Sequence, residues 1–142
     1  MKLGVMGAGL GAMGWDKALD YCQKVGLDAI ELPVGCFPGT PFFDPEEVVN
    51  SKAAQRQIIA DCERRGLEIV GLAVHGNPVH PDRAIAKAHA RAHDVAVRLA
   101  PKLGTDVVIN FSGCPGGSRR DATPNWVTCP WPPDFKAILR YQ

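Results

Sequence analysis

Four short apolar runs, regularly interrupted by helical segments, constrain this chain more than any other feature. They are Leu3 to Met6, Ala29 to Val34, Ile69 to Val74 and Val107 to Phe111. Each is nearly continuous in Val, Ile, Leu and Ala, without the alternation of a strand that is wet on one side. Such runs are the mark of strands covered on both faces, as in parallel sheets. The segments between them have helical spacing. Lys17 to Val25 puts Ala18, Cys22 and Val25 on one face, and Gly26 stops it. A second helix is expected from Asp44, where Asp44 caps, Pro45 suits the first position and Glu47 falls three residues after the cap. It is expected to run to about Arg65, ahead of Gly66. A third starts at Pro81-Asp82 and repeats Ile85, Ala88, Ala92, Val95, Ala96 and Leu99 before Pro101 and Gly104 close it. A fourth begins near Asp134, with Phe135, Ile138 and Leu139 on one side.

The order β-α-β-α-β-α-β-α predicts a parallel sheet with right-handed crossovers. Connections after the strands are long and rich in Gly and Pro: Gly7 to Gly14, Gly35 to Phe43, His75 to Pro81 and Ser112 to Pro133. Those after the helices are a few residues. The functional face therefore belongs at the C-terminal ends of the strands. The last loop carries Trp126 and Trp131, which favours an ordered lid or wall.

Composition excludes several classes. With 46% apolar and 22% charged residues, the 142-residue chain is globular and the size of one domain. A net charge of +1, with only Arg119-Arg120 as a basic pair, gives no case for nucleic acid or an anionic membrane. No apolar run approaches the roughly 20 residues that span a bilayer. The N-terminus reads as a strand rather than a signal peptide, so a cytoplasmic location is expected. Five cysteines without C-x-x-C spacing favour neither a disulfide framework nor a zinc site, and Cys22 and Cys62 are expected on buried helix faces.

One motif offers a different reading. Gly7-Ala8-Gly9-Leu10-Gly11-Ala12 and Gly9 to Gly14 fit dinucleotide-binding fingerprints after a strand, and Glu31 stands where a ribose-binding acid would. A small NAD-binding module is thus an alternative. Against it, such a helix starts within the glycine motif, whereas here the helix starts near Trp15. The preferred reading is a flexible loop over the mouth of the sheet.

The strand endings point elsewhere. Gly26-Leu27-Asp28-Ala29-Ile30-Glu31-Leu32 closes the second strand, His75-Gly76-Asn77-Pro78 follows the third, and Phe111-Ser112-Gly113-Cys114-Pro115-Gly116 follows the fourth. In order and spacing these resemble the sugar phosphate isomerase/epimerase family, the xylose-isomerase-like barrels that also include endonuclease IV. The resemblance implies an α/β fold, four βα units of a TIM (β/α)8 barrel, forming an incomplete half-barrel with a parallel sheet over residues 1–142. It implies a sugar or sugar phosphate as partner and a divalent metal (Mn, Mg or Zn) in the intact family member. The metal is held there by two glutamates, an aspartate and a histidine of later strands, and glutamates move a proton beside the carbonyl. None of those ligands can be assigned in this chain, so the resemblance implies an inactive fragment, with a non-catalytic remnant as a further alternative.

Within that frame the expected substrate-binding residues are Glu31, His75, Asn77, His80, Asn110 and Ser112. Glu31 suits a sugar hydroxyl or a basic group, or equally a structural role under the glycine loop. His75 suits substrate contact, or a metal as in the endonuclease branch, or a structural hydrogen bond. Asn77 and His80 make a polar cluster with it. Asn110 and Ser112 alternate along the fourth strand and share one side. Gly113 to Gly117 offers either a phosphate nest or an ordinary turn. His89 and His93 stand four apart on a helix face expected to be solvated. Four strands cannot close a barrel, so self-association through open sheet edges is expected.

Overall fold

The computed structural model describes residues 1–125, together with Lys136 and Leu139. Four strands, β1 (Gly4–Met6), β2 (Ala29–Pro33), β3 (Glu68–Ala73) and β4 (Val108–Ile109), pair in parallel in the order β1-β2-β3-β4. Between them lie α1 (Trp15–Lys24), α2 (Pro45–Val48), α3 (Lys52–Glu63) and α4 (Arg83–Leu99). Lys136 and Leu139 are helical, where a fourth helix was expected. Asp134, Phe135, Ile138, Trp126, Trp131 and Cys129 lie outside the described residues.

The core forms on one face of the sheet. Ile30, Leu32 and Val34 from the second βα unit and Ile69, Leu72 and Val74 from the third meet Leu19 and Cys22 of α1, Ile58 and Cys62 of α3, and Val95 and Leu99 of α4. Each large side chain buried there contributes about 1.5–3 kcal/mol. Among the described residues the opposite face is only partly covered, with Ala29, Pro33 and Ala73 buried on it. Met6, Val107, Ile109 and Phe111 are exposed large apolar residues. Met6 is the register partner of Glu31, and Glu31 of Gly71. A Cβ on Gly71 would meet Val107 at 3.3 Å and Ile109 at 3.5 Å, which puts those residues on the same face.

This arrangement removes the dinucleotide alternative. A doubly wound sheet reverses its strand order about a central first strand and carries helices on both faces. Here the order never reverses and the helices share one face. The expected flexible loop is also ordered: Gly7–Met13 forms a 3-10 helix. Two of its glycines, Gly7 and Gly11, answer to packing. A Cβ on Gly7 would lie 2.8 Å from the Glu31 carbonyl oxygen, and one on Gly11 would lie 2.7 Å from Pro41.

The expected long second helix is two helices. Asp44 caps α2 by accepting from Glu46 N, and Ser51 caps α3 by accepting from Ala54 N. Asn50 and Ser51 favour such local side-chain bonds over helix continuation. The buried Gln55 Nε2 donates to the carbonyls of Val48 and Val49, at 2.8 and 3.2 Å. A second irregularity sits in the sheet. Ile30 pairs with Ile69 but Glu31 with Gly71, so Val70 is bulged out and exposed. The bulge restores the phase that sends both Ile69 and Leu72 to the helices.

On the helical side, Asp61 joins α1 to α3. Its carboxylate accepts from Trp15 Nε1 at 2.9 Å, Gln57 Nε2 at 2.9 Å and Arg64 at 2.5 Å. Burial alone would raise Asp61, but these bonds outweigh it and hold the carboxyl below its ordinary value. Trp15 packs edge-on to Phe42 and Phe43. Cys22 and Cys62 are buried as expected. Among the described residues no helix is long and apolar enough to cross a membrane.

Candidate functional site

The C-terminal ends of the strands gather on the face away from the helices into a shallow bowl. His75 leaves β3 two residues beyond Ala73, and Val74 between them points into the core. By alternation His75 shares the face of Ala73, Gly71 and their neighbour Glu31. Its imidazole stacks on Phe111 beyond β4, with centroids 4.6 Å apart and planes 9° from parallel. Phe37, from the loop after β2, lies tilted on Phe111 at 6.4 Å. Two adjoining cavities share Phe37 and Phe111 as a common wall. One, of about 330 Å³, runs over Gly76, Asn110 and Ser112. The other, of about 300 Å³, runs over Met6, Gly9 and His75.

The six expected contact residues divide in two. His75 and Ser112 present themselves to the bowl, while Glu31 lies on the same face of the sheet without lining either cavity. Ser112 is exposed on the first cavity, and His75 lines the second. Glu31 is half-buried, and its Oε1 is fully buried with no hydrogen-bond partner among the described residues. Asn77, His80 and Asn110 are engaged within the loops. Asn77 is 5% exposed and mimics a strand neighbour: Nδ2 donates to Cys114 O at 2.8 Å and Oδ1 accepts from Cys114 N at 3.0 Å. His80 is buried, with Nδ1 accepting from Asp82 N at 2.9 Å. Asn110 Oδ1 accepts from Gly76 N at 3.1 Å and from Phe111 N at 2.8 Å. The first and third of these cross-link the loops after β3 and β4, and so fix the His75–Phe111 pair.

Two further expectations change. His89 does not stand on a solvated face. It is half-buried, its Nδ1 accepts from Asn77 N at 2.8 Å, and its ring meets Phe37 edge-on at 5.4 Å. It was hidden because the loop it braces returns over the first turns of α4, which helical spacing alone does not reveal. The Gly113 to Gly117 segment is an ordinary turn rather than an open nest. Cys114 N is taken by Asn77, and Gly117 N by the Asp121 carboxylate at 2.7 Å, which also accepts from Ser118 N and Oγ. Cys36 was not singled out. It stands near the start of the loop after β2, in the left-handed region at φ 59°, and burial pushes its thiol up to about 11.

A four-stranded parallel sheet with helices on one face only and strand order following chain order is a sector of a (β/α)8 barrel. The family model of the xylose isomerase-like TIM barrel matches residues 19–130. The chain belongs to that family. A curated relative from Bacillus subtilis (strain 168), the uncharacterized protein YfiH, is 33% identical over 144 residues, covering all of this chain. The chain spans 46% of that relative's length. Members of the xylose isomerase-like family typically use a metal. Among the described residues no three His, Cys, Asp or Glu side chains are grouped so as to hold one. The described residues of the bowl thus offer a metal no ligand set of their own.

Proposed function

We propose that this chain is the substrate-shaping half of a sugar isomerase or epimerase. The substrate would be an aldose, a ketose or the corresponding phosphate, with proton transfer at the carbon beside the carbonyl carried out by groups of the other half-barrel. The reading rests on one observation: Glu31 and His75 lie on the same face of the sheet, and His75 lines the bowl beside an aromatic wall. Aromatic rings suit the C–H faces of a sugar, while a carboxylate and an imidazole suit its hydroxyls. The stacking of His75 on Phe111 fixes the imidazole before substrate arrives, which lowers the ordering cost of binding. In this role Glu31, His75 and Ser112 contact the sugar. Asn77, Asn110 and His89 position the loops that present them.

The test is deuterium exchange followed by proton NMR in D₂O. The chain is joined to the part of the Bacillus subtilis relative beyond its match. Aldoses, ketoses and their phosphates are offered with Mn²⁺, Mg²⁺ or Zn²⁺. Exchange at the carbon next to the carbonyl is expected, falling at least about tenfold in His75→Ala. Absence of exchange with every sugar, or equal exchange by the 142-residue chain alone, would overturn the proposal.

A further inference from the structure

The two cavities of the bowl differ in what they offer a ligand. The first, over Gly76, Asn110 and Ser112, is equipped for hydroxyl groups. Asn110 Oδ1 accepts from Gly76 N and Phe111 N, which fixes the amide and leaves its two Nδ2 hydrogens without a partner among the described residues. Ser112 is exposed there, and its hydroxyl is likewise unengaged among the described residues. The second cavity is of another kind. One side chain of its lining carries a nitrogen or oxygen atom, His75, and that ring is stacked on Phe111. Around it Met6, Ala8, Pro38 and the two phenylalanines end in carbon or in a thioether, which is a weak acceptor. Gly9 adds no side chain, and a Cβ there would meet nothing within 4 Å, so the cavity has room at that point.

Phe37 and Phe111 belong to both cavities and form a partition between them. Volumes of about 330 and 300 Å³ lie at the small end of the roughly 300–1,000 Å³ of small-molecule sites, so one monosaccharide lying along the partition can reach into both. His75 can serve one oxygen of that sugar, and the side chains around it serve none. A further hydroxyl carried into the second cavity gives up water without a side-chain partner, whereas a methyl group leaves water at no such cost.

We propose that this partition sorts the two ends of the substrate: Asn110 and Ser112 take a hydroxylated end, the cavity between Met6 and Pro38 takes a methyl end, and the chain thereby selects a 6-deoxyhexose over the hexose that differs from it only by the terminal hydroxyl. This rests on the sugar reading given above and narrows it to one class of substrate.

The test is binding rather than turnover. The isotope-labelled 142-residue chain is titrated with matched pairs, L-rhamnose against L-mannose, L-fucose against L-galactose and 6-deoxy-D-glucose against D-glucose, and its amide shifts are followed by NMR. In at least one pair the deoxy sugar is expected to bind about fivefold tighter or more, with intermolecular NOEs from its methyl group to Met6. Gly9→Ser, where the added Cβ meets nothing within 4 Å, brings a hydroxyl to the cavity and should erase that preference. Met6→Gln carries the comparison if Gly9→Ser does not fold by circular dichroism. Equal or weaker binding of the deoxy member in all three pairs, as when the amides of Ala8 or Gly9 hold the terminal hydroxyl, would overturn the inference and leave the sugar reading standing. So would a methyl NOE to Ser112 in place of Met6, or a preference unchanged in both folded variants. Amide shifts that respond to none of the six sugars would overturn the inference and the sugar reading together.

Discussion

Asn77→Ala should loosen one specific seam of the molecule, between the loops after β3 and β4. The asparagine amide donates to Cys114 O at 2.8 Å and accepts from Cys114 N at 3.0 Å, in a position only 5% exposed. Truncation removes both bonds and leaves a peptide group facing a small apolar side chain. A typical hydrogen bond contributes about 1 kcal/mol net, and a buried group left unsatisfied costs about 1–3 kcal/mol. Water can reach part of Cys114, which is half-buried, so a total of about 2 kcal/mol is expected. At about 1.4 kcal/mol per factor of ten, that is roughly a 30-fold rise in the opening of this seam. Native-state hydrogen exchange reads it directly at the Cys114 amide, with the Ile30 amide in β2 as an internal control. Asn77→Asp separates the two bonds, since a carboxylate keeps the acceptor but loses the donor and faces the Cys114 carbonyl. It should open the seam at least as much as alanine does. Wild-type exchange at Cys114 in Asn77→Ala would refute the idea that this side chain holds the loops together.

Other outcomes follow from the same structure. Ser51→Ala removes the cap of α3 and should lower stability by about 1 kcal/mol in urea unfolding. Leu72→Ala empties a fully buried position between sheet and helices and should cost about 2–5 kcal/mol in the same measurement. Asp61 is held below its ordinary value in the folded state, so its contribution is present above the unfolded carboxylate range near about pH 4 and is lost as pH falls through the lower folded value. The wild type should therefore lose more stability than Asp61→Asn when unfolding at pH 7 is compared with pH 3. Burial pushes the Cys62 thiol up to about 12 and Cys36 to about 11, so at pH 8 iodoacetamide should modify Cys114 well before Cys36 or Cys62 in the native chain, read by peptide mass spectrometry.

The architecture was legible because its signals are local. Each strand is a nearly continuous apolar run, Asp44 and Asp82 announce their helices, and Gly26 and Gly66 end others, so the βα order can be counted along the chain. The break between α2 and α3 was in the sequence as Asn50-Ser51, but apolar spacing carries across it and hides it. The bulge at Val70 could not be read, because a strand apolar on both faces has no alternation to be out of step. The site was half legible. Glu31 and His75 are found from strand endings alone. That Asn77 and Asn110 face the backbone of neighbouring loops, and that His89 joins them, depends on contacts between residues 12 to 37 positions apart. A polar side chain near a strand end can serve ligand or loop with the same sequence signature.

The sequential strand order also sets a timetable. Every strand pairs with the one made just before it, so the sheet can grow outward from β1 as the chain leaves the ribosome, with little loop-closure entropy to overcome at each addition. In a complete eight-stranded barrel the outer edge of β1 pairs with the last strand. Residues 4–6 would thus be the last edge of the sheet to be sealed, a seam that stays open until that final strand is in place.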